Sequence, residues 1–297
     1  MEIDRIAPEL DRIIDSNAPF DRVVHGIHFG EGPVWDKKNK RLVFVDIIGD
    51  TIWSWKPGVG KEVILNPSVK ANGLALDLEN RIVVAGWGGR TVWRFEKDGS
   101  LKTLASHYQG KKINSPNDIV VRNDGQIYFT DSPGGMLNVG MVGYDLQKYL
   151  DIQGVYRIAL DGTLHLVTDD FVYPNGLCFS PDEKILYANG SRDKTVRAYD
   201  VQADDTLTNS RMFFDLSKDT RPGITDGMKV DTAGNVYTTG PGGIHIVSPQ
   251  GKLLGRLLIS EHCTNFCWGD DDWRSMYITS HESVFRTRIK IPGIATW

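Results

Sequence analysis

One pattern recurs six times along this chain, and it constrains the fold more than any other feature. Each copy opens on a residue with a side-chain oxygen. A short apolar strand, a polar turn and a second apolar strand follow. After a gap comes a third strand rich in Thr, Val and aromatic residues. The copies begin at Glu31, Asn72, Asn117, Asn175, Asp226 and Thr264, at spacings of 41, 45, 58, 51 and 38 residues. Repeats of this length, built from three or four short strands, are the signature of β-propeller blades. The expected fold is therefore all-β, a six-bladed β-propeller.

Fourth strands can be placed for five copies, at 63–65, 101–104, 164–167, 212–214 and 253–259. The sixth copy has none, because the chain ends soon after it. The segment 21–29, DRVVHGIHF, has no partner of its own and is expected to complete the last blade and close the ring. Closure removes unpaired sheet edges. Residues 1–20 are then an N-terminal extension and 21–297 a single propeller domain. Within the extension, ELDRIIDS reads as an extra helix against the propeller or a neighbouring subunit.

Composition narrows the function classes. With 34 basic and 38 acidic residues among 297, the formal net charge is −4, which argues against a nucleic-acid binder. No apolar run reaches the roughly 18 residues of a membrane span. Three cysteines do not make a disulfide framework, and Cys263 and Cys267 lack metal or redox spacing. The acidic N-terminus lacks the apolar stretch of a signal peptide. Together these features predict a cytoplasmic protein with no nucleic-acid or membrane partner. Its oligomeric state cannot be read.

If each opening residue starts an inner strand, all six gather at one mouth of the central channel. Glu31, Asn72, Asn117, Asn175, Asp226 and Thr264 all offer oxygen. A ring of hard oxygen donors with a small negative charge suits Ca²⁺, and also Mg²⁺ or Mn²⁺. Zinc with oxygen ligands and water stays open. Asn-Gly and Asp-Gly are also common turn dipeptides, but turn chemistry does not account for Glu31-Gly32-Pro33 or Asn117-Asp118-Ile119. Loops after the second strands face the same mouth and carry Asp46, Trp87, Asp131, Asn189, Pro241 and His281. The longest insertion, 132–153, suits a loop folded over the mouth or a plain surface insertion.

EGPVW at 31–35, NSPND at 114–118 with GQIYFTD at 125–131, YPNGLCFSPDEK at 173–184 and TDGMKVDTAGNVY at 225–237 resemble the SMP-30/gluconolactonase/LRE-like family. The resemblance runs from about Phe29 to about Gly293 and is nearest in texture to bacterial gluconolactonases. It implies a six-bladed propeller with one divalent metal at the channel mouth, commonly calcium or zinc. Carried over by motif, Glu31, Asn175 and Asp226 should ligate it, and Asn117 should ligate it or hold substrate. Some members have an Arg two residues before that Asn. Here the position is Ser115, so their substrate contacts do not transfer.

The expected reaction is lactone hydrolysis, with a sugar lactone such as glucono-1,5-lactone as substrate. The metal polarises the carbonyl, and Asp226 accepts the proton of the attacking water. Asn72, Asn114 and Asn117 would hydrogen-bond a polyhydroxylated substrate, and Trp87 would pack on its ring. His281 is grouped with the substrate contacts and competes with Asp226 as base. Two alternatives remain. One is hydrolysis of an aryl lactone or phosphotriester at the same site. The other is a non-catalytic propeller that binds a partner, with the ion stabilising the fold.

Overall fold

The computed structural model describes residues 1–137 and 144–295. Six antiparallel sheets surround one channel, and each expected repeat forms a blade. Blade 1 runs outward through Gly30–Asp36, Arg41–Asp46, Thr51–Lys56 and Gly60–Leu65. Blade 2 comprises Leu74–Leu76, Ile82–Gly86, Thr91–Phe95 and Leu101–Ala105. Blade 3 comprises Ser115–Val121, Ile127–Ser132, Gly154–Ile158 and Leu164–Thr168. Blade 4 comprises Pro174–Phe179, Ile185–Gly190, Thr195–Val201 and Leu207–Asp215. Blade 5 comprises Met228–Val230, Val236–Gly240, Gly243–Val247 and Leu253–Leu258. Blade 6 takes Cys263–Gly269, Ser275–Ser280 and Ser283–Arg288 from the C-terminal end of the chain.

Its fourth strand is Asp21–His25, paired with Ser283–Arg288 so that Asp21 faces Arg286 and Val24 faces Val284. Ring closure thus joins the two ends of the chain, as the sequence pattern predicts. Closure by hydrogen-bonded strands suits a propeller because a gap would expose two blade faces to water.

The first twenty residues pack on the chain itself. Glu2–Arg5 adds a fifth strand to blade 5, with Ile3 opposite Leu257. ELDRIIDS forms no long helix. Pro8–Arg12 makes a short 3₁₀ turn, and Ala7, Leu10, Ile13 and Ile14 are buried beside Leu254, Leu257 and Ile289. Burying each of the larger aliphatic side chains contributes about 1.5–3 kcal/mol.

Apolar residues fill the seams between blades. Trp35 of blade 1 stacks on Tyr277 of blade 6, with ring centroids 5.3 Å apart and planes 8° from parallel. The three cysteines are buried and unpaired. Among the described residues, no helix is long and apolar enough to cross a membrane. The middle of the 132–153 insertion, residues 138–143, lies outside the described residues.

At the upper mouth the inner strands are irregular where the opening residues sit. The ladder slips between Glu31 and Val34, between Pro116 and Ile119, and between Pro174 and Leu177. Such bulges re-aim side chains away from the ladder. Here they turn the opening residues toward the channel. Blades 2 and 5 reach the same result by starting the strand later, at Leu74 and Met228.

Candidate active site at the upper mouth

Main-chain bonds lock the opening residues into one ring. Gly73 N donates to Asn117 O at 2.8 Å, Gly176 N to Asp226 O at 3.1 Å, and Gly227 N to Thr264 O at 2.8 Å. Thr264 Oγ1 donates to Gly30 O at 2.6 Å, joining blade 6 to blade 1. Glycine is required where backbones approach this closely. A Cβ on Gly176 would lie 2.2 Å from Asp226 O.

The ring brings Glu31, Asn72, Asn117, Asn175 and Asp226 to one place, all buried. The Asp226 carboxyl meets both Glu31 and the Asn175 amide. Asn72 Nδ2 donates to Asn117 Oδ1 at 3.2 Å. Asn175 Nδ2 donates to Ser191 Oγ at 3.0 Å, and Ser191 Oγ donates to Thr225 O at 2.7 Å. With its amide held in this way, the Asn175 Oδ1 oxygen is buried without a partner, as is Asn72 Oδ1.

The backbone of Asp226 is fixed on both sides. Its N–H donates to Thr239 Oγ1 at 2.8 Å, and its carbonyl accepts from Asn189 Nδ2 at 2.7 Å. Asn189 Oδ1 in turn accepts from Gly176 N at 3.0 Å, coupling blades 4 and 5.

Burial raises both central carboxyls. Glu31 is pushed up to about 7 by burial, opposed by the Gly32 N–H and reinforced by the charge of Asp118. Asp226 is raised well above the usual carboxylate range by burial and then by Glu31. Two carboxyls forced together away from water, beside amide oxygens with no donor, form a cavity deficient in positive charge. A hard divalent cation fits that donor set. Glu31, Asp226, Asn175 and Asn117 would hold it. Among the described residues no group of three His, Cys, Asp or Glu side chains has metal-binding geometry. The donor set found here draws on amides as well as carboxylates.

The sixth opening position departs from expectation. The hydroxyl of Thr264 is spent on the seam with blade 1 and on Thr279. Its neighbour Asn265 reaches the centre instead, and Asn265 Nδ2 donates to Glu31 Oε2 at 3.1 Å. The ladder slip between Cys263 and Asn265 produces this shift by one residue.

Three further sequence candidates lie outside the oxygen ring. Asn114 is fully buried, and its Nδ2 donates to Ile152 O at 2.7 Å, pinning the long insertion. Trp87 is buried against Gly134 and Gly135, and a Cβ on Gly134 would lie 2.2 Å from the indole. His281 is exposed on the rim, its ring 4.6 Å from that of Phe29 and 4.8 Å from that of His262. Burial lowers its proton affinity.

Besides Asn265, three residues were not legible as site components. Tyr173 forms a hydrogen bond with Ser132, and its hydroxyl is pushed up by burial and by the charge of Asp226. A Cβ on Gly134 would sit 1.9 Å from that hydroxyl. Arg90 is fully buried and donates to Ile113 O, Asn114 O and Gln147 O at 2.8, 2.8 and 2.7 Å. It ties the insertion to the strand that carries Asn117. Lys229 reaches Asp118 and Asn265, the residues next to the opening positions of blades 3 and 6. The only signal for Tyr173 was its place next to the Pro-Asn-Gly motif. Arg90 and Lys229 gave none.

Burial raises the Cys263 thiol far above its usual range, and Asp226 and Glu31 add to the effect. It stays protonated and is no nucleophile. At the opposite end of the channel lies an apolar cavity of about 140 Å³, lined by Val34, Leu76, Val121, Phe179 and Cys267. It has no comparable set of oxygen donors.

Fold and site together define a six-bladed β-propeller with an acidic, amide-rich centre at one mouth. Residues 29–282 match the SMP-30/gluconolactonase/LRE-like region, and the chain belongs to that family. It is 31% identical to a gluconolactonase of Zymomonas mobilis, over 98% of this chain and 87% of that one. It is 28% identical to a pentonolactonase of Haloferax volcanii, over 84% of this chain and 81% of that one. The solved structure of a gluconolactonase from Xanthomonas campestris superimposes with a TM-score of 0.90 at 28% identity, covering 97% of this chain and 95% of that one.

Proposed function

We propose that this protein hydrolyses a sugar lactone such as glucono-1,5-lactone, using a divalent cation held by Glu31, Asn175, Asp226 and Asn117. The observation that carries the reading is the pairing of two buried carboxyls, Glu31 and Asp226, beside buried amide oxygens without donors. The lactonase-type hydrolase class is supported by the gluconolactonase and pentonolactonase relatives. An all-oxygen donor set favours Ca²⁺, with Mn²⁺, Mg²⁺ or Zn²⁺ as substitutes. Three buried, unpaired cysteines accord with a reducing compartment, so we place the protein in the cytoplasm.

When bound, the cation would draw electron density from the lactone carbonyl and stabilise the oxyanion of the tetrahedral adduct. Asp226 accepts the proton of the attacking water. The proton goes to the carboxylate oxygen that is not committed to the cation. Thr239 and Asn189 hold Asp226 in place from its backbone. Asn117 and Asn72 offer amide groups to the substrate hydroxyls. The Tyr173 hydroxyl, Trp87 and the Gly134–Gly135 backbone form one wall of the site.

The test is base uptake at constant pH on metal-stripped protein, with and without restored cation, after subtraction of spontaneous opening. The expected result is cation-dependent opening of glucono-1,5-lactone that exceeds that of an aryl lactone or a phosphotriester. A folded, cation-loaded protein that leaves the sugar lactone untouched would overturn the substrate. One that opens no ester at all would favour a binding propeller.

A further inference from the structure

Directly after the opening residue, four blades carry glycine: Gly32, Gly73, Gly176 and Gly227. Neighbouring atoms occupy the space that their Cβ would need. Asn72 O would be 2.1 Å from a Cβ on Gly32, and Asn265 Oδ1 would be 2.1 Å from one on Gly227. The other two blades carry Asp118 and Asn265. They belong to blades 3 and 6, which face each other across the axis.

Lys229, on the inner strand of blade 5, reaches between them. Its Nζ donates to Asp118 Oδ2 at 3.2 Å and to Asn265 Oδ1 at 3.4 Å. An ammonium that touches two opposite blades lies close to the channel axis. Asp118 is almost fully buried, and the Lys229 side chain is 25% exposed. Asn265 links this ion pair to the site above. Its Oδ1 also accepts from Phe266 N at 2.9 Å, which leaves Nδ2 to donate to Glu31 Oε2. Asp118 is held from its other oxygen by Ile119 N at 2.9 Å. On its lower side Lys229 lines the apolar cavity with Cys178 and Cys267. The ammonium is therefore the floor of the polar mouth and the ceiling of the apolar cavity.

We propose that Lys229 is a tethered counter-ion of the cation centre. It cancels the charge of Asp118, so that the negative charge facing the divalent ion comes from Glu31 and Asp226 alone. This rests on the reading of a divalent-cation site.

The consequence has a sign. Lys229 repels the bound ion and Asp118 attracts it, so removing one has the opposite effect to removing the other. Removing both should nearly cancel. In a protein interior, charges separated by several ångströms change a binding constant by at least about tenfold. A purely structural lysine would instead weaken ion binding when lost.

The experiment is calorimetric titration of Ca²⁺, and then Mn²⁺, into the metal-stripped full chain. The proteins are wild type, Lys229→Met, Asp118→Asn, the double variant and Lys229→Arg. Lys229→Met should tighten binding about tenfold or more, and Asp118→Asn should weaken it about tenfold or more. The double variant and Lys229→Arg should lie within about threefold of wild type. Unchanged or weaker binding by Lys229→Met overturns the proposal, as does a double variant as weak as Asp118→Asn. If Lys229→Met does not fold, the comparison of Asp118→Asn with the double variant decides. Restored affinity then supports the proposal, and no restoration overturns it. A wild type that binds neither ion overturns the cation site itself, and with it this role.

Discussion

At the lower end of the channel Asp36 and Asp77 sit among donors, whereas at the upper end Glu31 and Asp226 face each other. Asp36 shows the first state. Its oxygens accept from Asn39 N at 3.0 Å, Asn39 Nδ2 at 2.7 Å and Arg41 Nε at 2.9 Å. Burial alone would raise it, but these donors hold it below the usual range. Asp77 is likewise bound by Arg81, from Nε at 2.8 Å and from the backbone at 2.9 Å. Glu31 and Asp226 show the second state: burial raises both, Asp118 adds to the rise of Glu31, and Glu31 adds to that of Asp226. The same side-chain chemistry thus serves folding at one end and stores unmet charge at the other. Unmet charge in a buried cleft marks a functional site.

The sharpest way to break this contrast is to neutralise one upper carboxyl. Asp226→Ala should lower kcat/KM for the lactone by about 10³-fold or more. The metal-free melting temperature should not fall, because a buried repulsion is removed. Near-normal turnover would take Asp226 out of the mechanism, and a large loss of stability would make it a folding residue like Asp36.

A pH series sharpens the contrast next. Glu31 and Asp131 are both raised to about 7 by burial. A carboxyl raised in the folded state has its full stability contribution only below its unfolded value, and loses it progressively as pH rises to about 7. Metal-free protein should therefore melt at a lower temperature at pH 8 than at pH 5.5. Added cation should restore more at pH 8. Because protons compete for the same oxygens, cation affinity should fall below pH 7 by up to about tenfold per unit for each proton displaced. A pH-independent affinity, measured by calorimetry, would remove Glu31 and Asp226 from the cation site.

A smaller effect is expected at the wall of the upper mouth. Gly134→Ala places a Cβ against the Tyr173 hydroxyl and Trp87. Overpacking of this kind costs about 1–3 kcal/mol. Steady-state kinetics should show it mainly as a raised KM, several-fold. An unchanged KM would move the substrate away from that wall.

The smallest effect on turnover is expected at the lower end. Asp36→Ala leaves buried donors without acceptors and should cost about 1–3 kcal/mol in denaturant unfolding. Activity per folded molecule should not change. A fall in kcat would mean that the two ends are coupled through the inner strands.

How much of this was legible in the sequence follows the same division. The blades were legible because each repeats a local strand-turn-strand pattern, and the closing strand 21–29 was legible because blade 6 lacked one. Glu31, Asn117, Asn175 and Asp226 were legible as a ring because the repeat fixes their register. Asn265 was not, because the slip that replaces Thr264 depends on the Thr264 hydroxyl bonding blade 1, a contact between the chain's two ends. Lys229 reads in sequence as an ordinary strand lysine, and only ring closure brings Asp118 and Asn265 to its ammonium. Arg90 reads as a loop residue, and its carbonyl partners lie 23 or more positions away. Asn114 and Trp87, read as substrate contacts, also pack against the insertion that borders the site, a contact the sequence does not signal.

The most direct test of the central claim is the number of divalent ions bound per chain, measured by elemental analysis after dialysis against Ca²⁺. Wild type is compared with the folded Glu31→Gln and Asp226→Asn variants, and lactone opening is followed in the same samples. One bound ion in wild type, lost together with hydrolysis in both variants, is the result this account predicts. Full hydrolysis by a wild type that carries no ion, or an ion retained in both variants, would contradict it.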